Sequence, residues 1–362
     1  MEEELVKLSH RQFLKIDRDY EKAAKAVNLV YVSDAQPGIQ RVKKGTGFSY
    51  IYKDAVIKDP ETIKRINSLV IPPAWNNVWI CPMVNGHIQV TGFDVKNRKQ
   101  YRYHELWNSL RNETKFHRLL EFGTALPTLR LKLEDDISQK DLNETKVIAL
   151  VVSLMERTYI RIGNSGYEKM NGSYGLTTLK DKHVKVEGEK LQFSFVGKKG
   201  VSQNISLQNK KLAKLVKQCR DIPGKELFQY YDENGNRKCV DSGMINNYIR
   251  EATGNDFTAK DFRTWAGSLN ILRAFKSLGE AIDETAKKKN VVAALNEVSS
   301  KLGNTRTVCK KYYVHPGLID LYEKNNLSKY TKELDELEEP DDKSGHTKDE
   351  KVLLKILREL AK

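Results

Sequence analysis

The sequence predicts an α+β chain, with a small antiparallel β-rich N-terminal domain followed by a larger, mainly helical domain that contains a three-stranded β-meander. Three observations predict it. Between Leu29 and Tyr103, short apolar runs are interrupted every few residues by Gly, Pro and Asn, the rhythm of antiparallel strands joined by turns. After Glu105 the apolar residues recur at helical spacing. From His183 to Leu207 the chain returns to alternation, with Leu191, Phe193 and Phe195 on one face. At 362 residues the chain exceeds one typical domain, and the expected division is 1–110, 111–330 and 331–362.

In the first domain the strand-like runs are LVYV, GFSYIY, VWICPMV and GHIQVTGFD, with a turn at Val84-Asn85-Gly86. Asp59 as N-cap and Pro60 in the first turn start one intervening helix through Ile63, Ile66 and Leu69. The run KNRKQYRYH interleaves basic residues with Tyr101 and Tyr103. In a strand the two tyrosines share one side, and Arg98 and Gln100 share the other.

Farther on, Ser138 with Asp141 is expected to cap a helix whose apolar face includes Val147, Val151, Leu154 and Met155. Arg157 and Arg161, four residues apart, are expected to share a face of it. The following GNSGYEKMNGSYGL reads as a loop with free backbone N–H groups. The meander comprises HVKVE, LQFSFVG and VSQNISL, and its second turn carries Lys198 at the tip. Thr258 and Asp261 open a helix with Phe262, Trp265, Ala266, Leu269 and Leu272 as its core stripe. Arg263 is expected in its first turn, where a bound anion would offset the unfavourable dipole. A helix through Val291, Leu295 and Val298 should stop at Gly303. The acidic run KELDELEEPDDKSGHTKDE reads as a linker. Thr347 and Glu350 then cap a last helix, read as packed on the body, with Val352, Leu353, Ile356, Leu357 and Leu360 on its apolar face.

Charge narrows the function classes. Lys and Arg number 62 against 48 acidic residues, a formal +14, which favours a polyanionic partner. No apolar run approaches the ~20 residues that span a bilayer. The charged opening MEEELVKLSHRQ does not read as a signal peptide, so a cytoplasmic or nuclear location is expected. Four dispersed cysteines and seven histidines without metal-ligand spacing give a zinc site little support. Neither a phosphate-binding P-loop nor a dinucleotide fingerprint occurs, and no cofactor is expected.

The chemistry gathers at GNTRTVCKKYYVHP, residues 303–316, where Tyr312 and Tyr313 follow a basic run. A phenol with a free pKa near about 10 is a poor nucleophile at neutral pH. It needs partners, and the candidates are Arg161, Arg263, Lys198 and Asn304. Cys309 lies nearby, but no histidine stands at a spacing that would activate it. Arginine forks can meet the non-bridging oxygens of a phosphodiester transition state. A lysine can protonate the departing oxygen, and a tyrosine can carry the phosphate covalently.

The segments IPPAWNNVWICP, RKQYRY, TYIRIGN, YGLTTLKDKHV, FVGKKGV, AKDFRTW and LGNTRTVCKKYYVHP, in this order, resemble the type IB DNA topoisomerases of the compact poxvirus and bacterial kind. The resemblance covers most of residues 29–320. It implies the tyrosine recombinase/topoisomerase IB-like fold and relaxation of supercoiled duplex DNA through a 3′-phosphotyrosyl intermediate, without ATP or a required metal. It makes Tyr313 rather than Tyr312 the nucleophile, Arg161 and Arg263 the phosphate clamps, and Lys198 the general acid. Asn304 stands where the poxvirus members have histidine, so it can donate a hydrogen bond but carries no titrating proton. Gln100, Tyr101, Tyr103 and Tyr167 are implied DNA contacts, and a monomer clamped around duplex DNA is implied as the working form. The rival readings are a tyrosine site-specific recombinase and a non-catalytic duplex-binding protein. Against the first, Lys260 stands three residues before Arg263, where recombinases usually have histidine.

Overall fold

The computed structural model describes residues 8–336 and 345–362, with side chains described to 332 and from 345. The chain divides into two compact units, Met1–His117 and Arg118–Lys362.

The first unit begins with two short helices, α1 (His10–Ile16) and α2 (Tyr20–Ala26). Six strands follow: β1 (Ile39–Lys44), β2 (Gly47–Tyr52), β3 (Ala55–Val56), β4 (Asn76–Ile80), β5 (Ile88–Phe93) and β6 (Lys99–Tyr103). Helix α3 (Pro60–Ser68) interrupts them and α4 (Glu105–His117) closes the unit. The sheet is antiparallel in the order β3-β2-β1-β4-β5-β6. Ile39, Val78, Ile80 and Val90 bury one face against Ile66 of α3. Asp59 caps α3 as expected, its Oδ2 accepting from Thr62 N–H at 2.8 Å.

Two strand expectations change. Leu29–Val32 forms only an isolated bridge, Val30 to Gly86, because Leu29 joins a separate cluster with Phe13, Ala24, Trp107 and Leu110. Strand β1, with the polar sequence IQRVKK, buries only Ile39. Its register comes from pairing with β2 and β4 rather than from alternation.

The second unit starts with α5 (Leu119–Ser138), α6 (Glu144–Thr158) and α7 (Ser165–Asn171). The meander is β7 (Val184–Glu187), β8 (Lys190–Val196) and β9 (Ser202–Gln208), followed by α8 (Lys210–Arg220). A two-stranded ribbon, β10 (Gln229–Tyr231) with β11 (Arg237–Cys239), precedes α9 (Ser242–Thr253). Then come α10 (Ala259–Leu278), α11 (Glu284–Leu302), α12 (Arg306–Tyr312), α13 (Pro316–Glu323), α14 (Ser328–Glu336) and α15 (Lys348–Leu360).

Helix α6 is buried almost throughout, and Val147, Val151, Leu154 and Met155 all lie in the main core. Its cap is Asn143, whose Oδ1 accepts from Lys146 N–H at 3.0 Å. Ser138 instead ends α5 and donates to Glu134 O at 2.6 Å, so the expected Ser138–Asp141 cap does not form. The meander forms as read, with Leu191, Phe193 and Phe195 buried.

Of the expected acidic linker, residues 332–336 continue α14 and 348–350 begin α15, while 337–344 lie outside the described residues. Helix α15 is part of the core, packing on α5, α10 and α14. Glu350 is 3 % exposed. Its carboxylate accepts two bonds from Arg130, at 2.8 and 2.9 Å, and one from Trp265 Nε1 at 3.1 Å. Leu360 reaches α13, where a methyl placed on Gly317 would lie 2.6 Å from its Cδ1.

Candidate active site

The site is organised by helix ends. Helix α6 stops because Tyr159 takes a left-handed conformation, with φ 57°. Arg157 is therefore left exposed on the last turn, while Arg161 lies beyond the helix and is partly buried. The two do not share a helical face, a correction to the four-residue spacing. The Arg161 carbonyl accepts from Leu176 N–H at 2.8 Å. Gly175 makes that approach feasible, because a methyl there would come 2.5 Å from the same oxygen. The segment between them, expected as a loop, contains α7, capped by Asn164 Oδ1 accepting from Tyr167 N–H.

Arg263 lies in the second turn of α10, five residues beyond N-cap Thr258, and is 6 % exposed. Its Nη1 donates to Tyr159 O at 2.6 Å and its Nη2 to Leu302 O at 2.7 Å. Both carbonyls are orphans at helix C-termini, those of α6 and α11, where a cation is favourable. The expected first-turn placement is thus replaced: two helix ends meet the charge, and no anion is needed to offset its own helix dipole. Arg263 Nε is buried without a hydrogen-bond partner among the described residues.

Gly303 ends α11 at φ 58°, turning the chain so that Asn304 faces Arg161. Arg161 Nη2 donates to Asn304 Oδ1 at 2.5 Å and to Gly303 O at 3.4 Å. Asn304 Nδ2 donates to Leu302 O at 3.3 Å. Since a guanidinium can only donate, this contact fixes which way the amide points. The last carbonyls of α11 therefore anchor both arginines. Burial first, and the nearby Arg263 charge second, hold the Arg161 guanidinium below its ordinary pKa, while the Tyr313 phenol pulls it upward.

Tyr313 is the C-cap of α12 and is half-buried, whereas Tyr312 is 38 % exposed. The Arg263 guanidinium carbon lies 5.0 Å from the Tyr313 ring centroid. Two residues missed from sequence seat the Tyr313 backbone on α10. A methyl on Gly267 would fall 2.3 Å from Tyr313 O. Ser268 Oγ donates to that same oxygen at 3.4 Å and accepts from His315 N–H at 3.0 Å. The only trace in the sequence is a pair of small residues, four and five positions after Arg263. Pro316 separates α12 from α13 and takes the first position of the latter.

Burial pushes the Cys309 thiol up to about 11, and the charges of Arg263 and Arg161 offset this only in part. A thiol held protonated at neutral pH is a poor rival nucleophile.

Lys198 is exposed in the β8–β9 turn, where Lys199 and Gly200 take φ of 63° and 76°. Tyr167 is 53 % exposed on α7. In the first unit the exposed Tyr101 and Tyr103 rings stack at 5.8 Å. Gln100 lies on the opposite side and donates to Asp94 Oδ2 at 3.0 Å.

With this geometry in place, comparison with known proteins sets the class: a model of the eukaryotic DNA topoisomerase I catalytic core matches residues 99–340. Within that class the chain belongs to the type IB DNA topoisomerase family, and a model of the bacterial DNA topoisomerase IB N-terminal domain matches residues 47–94. The DNA topoisomerase 1B of Acanthamoeba polyphaga mimivirus is 37% identical over 301 residues, covering 80% of this chain and 88% of the relative. The DNA topoisomerase 1B of Vaccinia virus (strain Copenhagen) is 23% identical over 240 residues, 65% of this chain and 73% of the relative. The DNA topoisomerase 1 of Rabbit fibroma virus is 26% identical over 230 residues, 62% of this chain and 68% of the relative. The chain is thus an isomerase that acts on DNA. Among the described residues, no helix is long and apolar enough to cross a membrane.

Proposed function

We propose that Tyr313 is the nucleophile of a transient single-strand cleavage that relaxes supercoiled duplex DNA. The observation that carries this reading is the gathering of Arg161, Arg263 and Asn304 at one helix end beside the Tyr313 ring. Tyr313 Oη bonds to phosphorus and its proton passes to water. The P–O5′ bond breaks, and Lys198 Nζ gives a proton to the departing oxygen. Charge gathers on the non-bridging oxygens in between. Arg161, Arg263 and Asn304 are held in advance by the carbonyls of Gly303, Tyr159 and Leu302 to receive it, so little reorganisation is needed in the transition state. The products are a 3′-phosphotyrosyl diester and a 5′ hydroxyl. The diester retains the bond energy, so religation runs the same steps backward without ATP or a required metal.

In this reading the protein is a monomer that clamps the duplex. The N-terminal β-rich domain grips DNA through Tyr101, Tyr103 and Gln100, and Tyr167 contacts it from the catalytic domain. The compartment that fits is one holding the DNA, a bacterial nucleoid or a virion and its host cytoplasm. Incubation with supercoiled plasmid at low salt, without ATP or magnesium, should yield a ladder of relaxed topoisomers. An unchanged plasmid would favour a binding protein without catalysis, and exchange of strands between two sites would favour a recombinase.

A further inference from the structure

Gln203 lies between the turn that carries Lys198 and the helix end that anchors both arginines. It sits on β9, paired with Phe195 of β8, and is half-buried. On one side its stem covers Gly197, the residue before Lys198: a methyl on Gly197 would lie 3.1 Å from Gln203 Cγ. On the other its amide covers Gly303: a methyl there would lie 2.7 Å from both Oε1 and Nε2. Gly303 is left-handed and contributes one of the carbonyls that hold Arg161. Glycine at both ends lets one side chain touch both backbones. Within the turn, Gly197 N–H donates to Val201 O at 2.8 Å, a bond that closes the turn on itself and does not attach it to α11.

We infer that Gln203 is a positioning residue that docks the Lys198 turn against the end of α11, setting where the ammonium stands relative to the phosphate held by Arg161 and Arg263. The inference rests on Lys198 acting as the general acid. A side chain at the tip of the turn between Gly197 and Val201 samples many positions unless the turn is held, and misplacement by about 1 Å can cost ~10²-fold in rate. Loosening the turn should therefore impair protonation of the leaving oxygen and leave the arginine-held phosphate alone.

A leaving group that needs no proton separates these effects. Single-turnover cleavage is measured for wild type, Gln203→Ala and Lys198→Ala on two duplexes that differ only by a 5′-bridging oxygen or sulfur at the scissile phosphate, with non-covalent duplex binding measured in parallel. Gln203→Ala should lose ~10- to 100-fold on the oxygen substrate, keep duplex binding, and fall within about twofold of wild type on sulfur, since thiolate departs unprotonated. An unchanged oxygen rate overturns the inference. So does an equal loss on both substrates, which would place the effect of Gln203 on the arginines. If sulfur fails to rescue Lys198→Ala itself, the general-acid reading fails instead. Should Gln203→Ala lose duplex binding, Gln203→Met, which keeps the stem over Gly197, is judged by the same ratio of rates.

Discussion

The Arg263 guanidinium stands over the Tyr313 ring at 5.0 Å while two of its nitrogens are bound to the carbonyls of Tyr159 and Leu302. The cation is thereby fixed from three directions before any DNA arrives. Its charge favours the electron-rich face of the phenol and any negative charge that develops on it.

Arg263→Ala should lower the rate of covalent adduct formation by about 10²-fold or more, the usual scale for removing one preorganised donor. Arg263→Lys should recover little of it. A lysine carries its three N–H donors on one nitrogen and lacks the planar fork by which Arg263 meets Tyr159 O and Leu302 O from two separate nitrogens. Single-turnover cleavage of a short duplex measures both, and full recovery by lysine would show that charge alone suffices.

Tyr313→Phe should bind duplex DNA with near wild-type affinity yet form no covalent adduct, because the ring and its place over α10 remain while the nucleophilic oxygen is gone. Tyr312→Phe should still form the adduct, its side chain lying on the exposed face of α12. Denaturing gels of labelled duplex distinguish the two, and an adduct from Tyr313→Phe would refute the assignment.

Gly267→Ala should slow cleavage by up to ~10²-fold through displacement of the nucleophile, and should destabilise the fold by ~1–3 kcal/mol through overpacking. The added methyl would meet backbone, the Tyr313 carbonyl oxygen at 2.3 Å, which cannot swing aside as a side chain can. Adduct formation together with thermal unfolding tests it. An alanine variant as fast as wild type would mean that Tyr313 is positioned by something else.

Removal of the Glu350 carboxylate should destabilise the protein, since buried Arg130 would keep only Glu156, at 2.7 Å, as a counter-charge; the loss should fall below the ~3–5 kcal/mol of a buried charge left with no partner. Burial alone would raise the pKa of this carboxyl, but the hydrogen bonds and charge of Arg130 outweigh it and hold it below the ordinary carboxylate value of 4.5. A depressed folded-state pKa contributes stability that is present above 4.5 and is lost as pH falls through the folded value. The melting temperature of the wild type should therefore drop below about pH 4.5, by thermal unfolding at a series of pH values, with a shallower fall for Glu350→Gln. Parallel curves would place the acid sensitivity elsewhere.

Much of the fold was legible because its signals are local. Asp59-Pro60, Thr258 with Asp261, Gly303, and Thr347 with Glu350 mark helix ends by hydrogen bonds made within a few residues. The alternation of Leu191, Phe193 and Phe195 marks a half-buried strand by the same logic. Errors arose where a distant partner decided. Leu29 left the sheet for the Trp107 cluster, β1 was held by its neighbours despite a polar sequence, and Asn143 capped α6 because α5 runs on through Ser138.

For the site, the residue types were legible and their support was not. Arginine, lysine, asparagine and tyrosine could be singled out as candidates from sequence because a phosphodiester transition state requires fork-like donors, an acid and a nucleophile, and only the family resemblance chose Tyr313 over Tyr312. Their assembly depends on carbonyls left over at the ends of α6 and α11, on a left-handed Tyr159, and on the absence of a side chain at Gly267. None of these has a sequence period: the carbonyls depend on where α6 and α11 end, and the bare Gly267 on where α10 meets the end of α12. The sequence determined the alphabet of elements and the reactive groups through local bonding and spacing; only the tertiary structure decided which helix ends meet, and so which charges are held beside Tyr313.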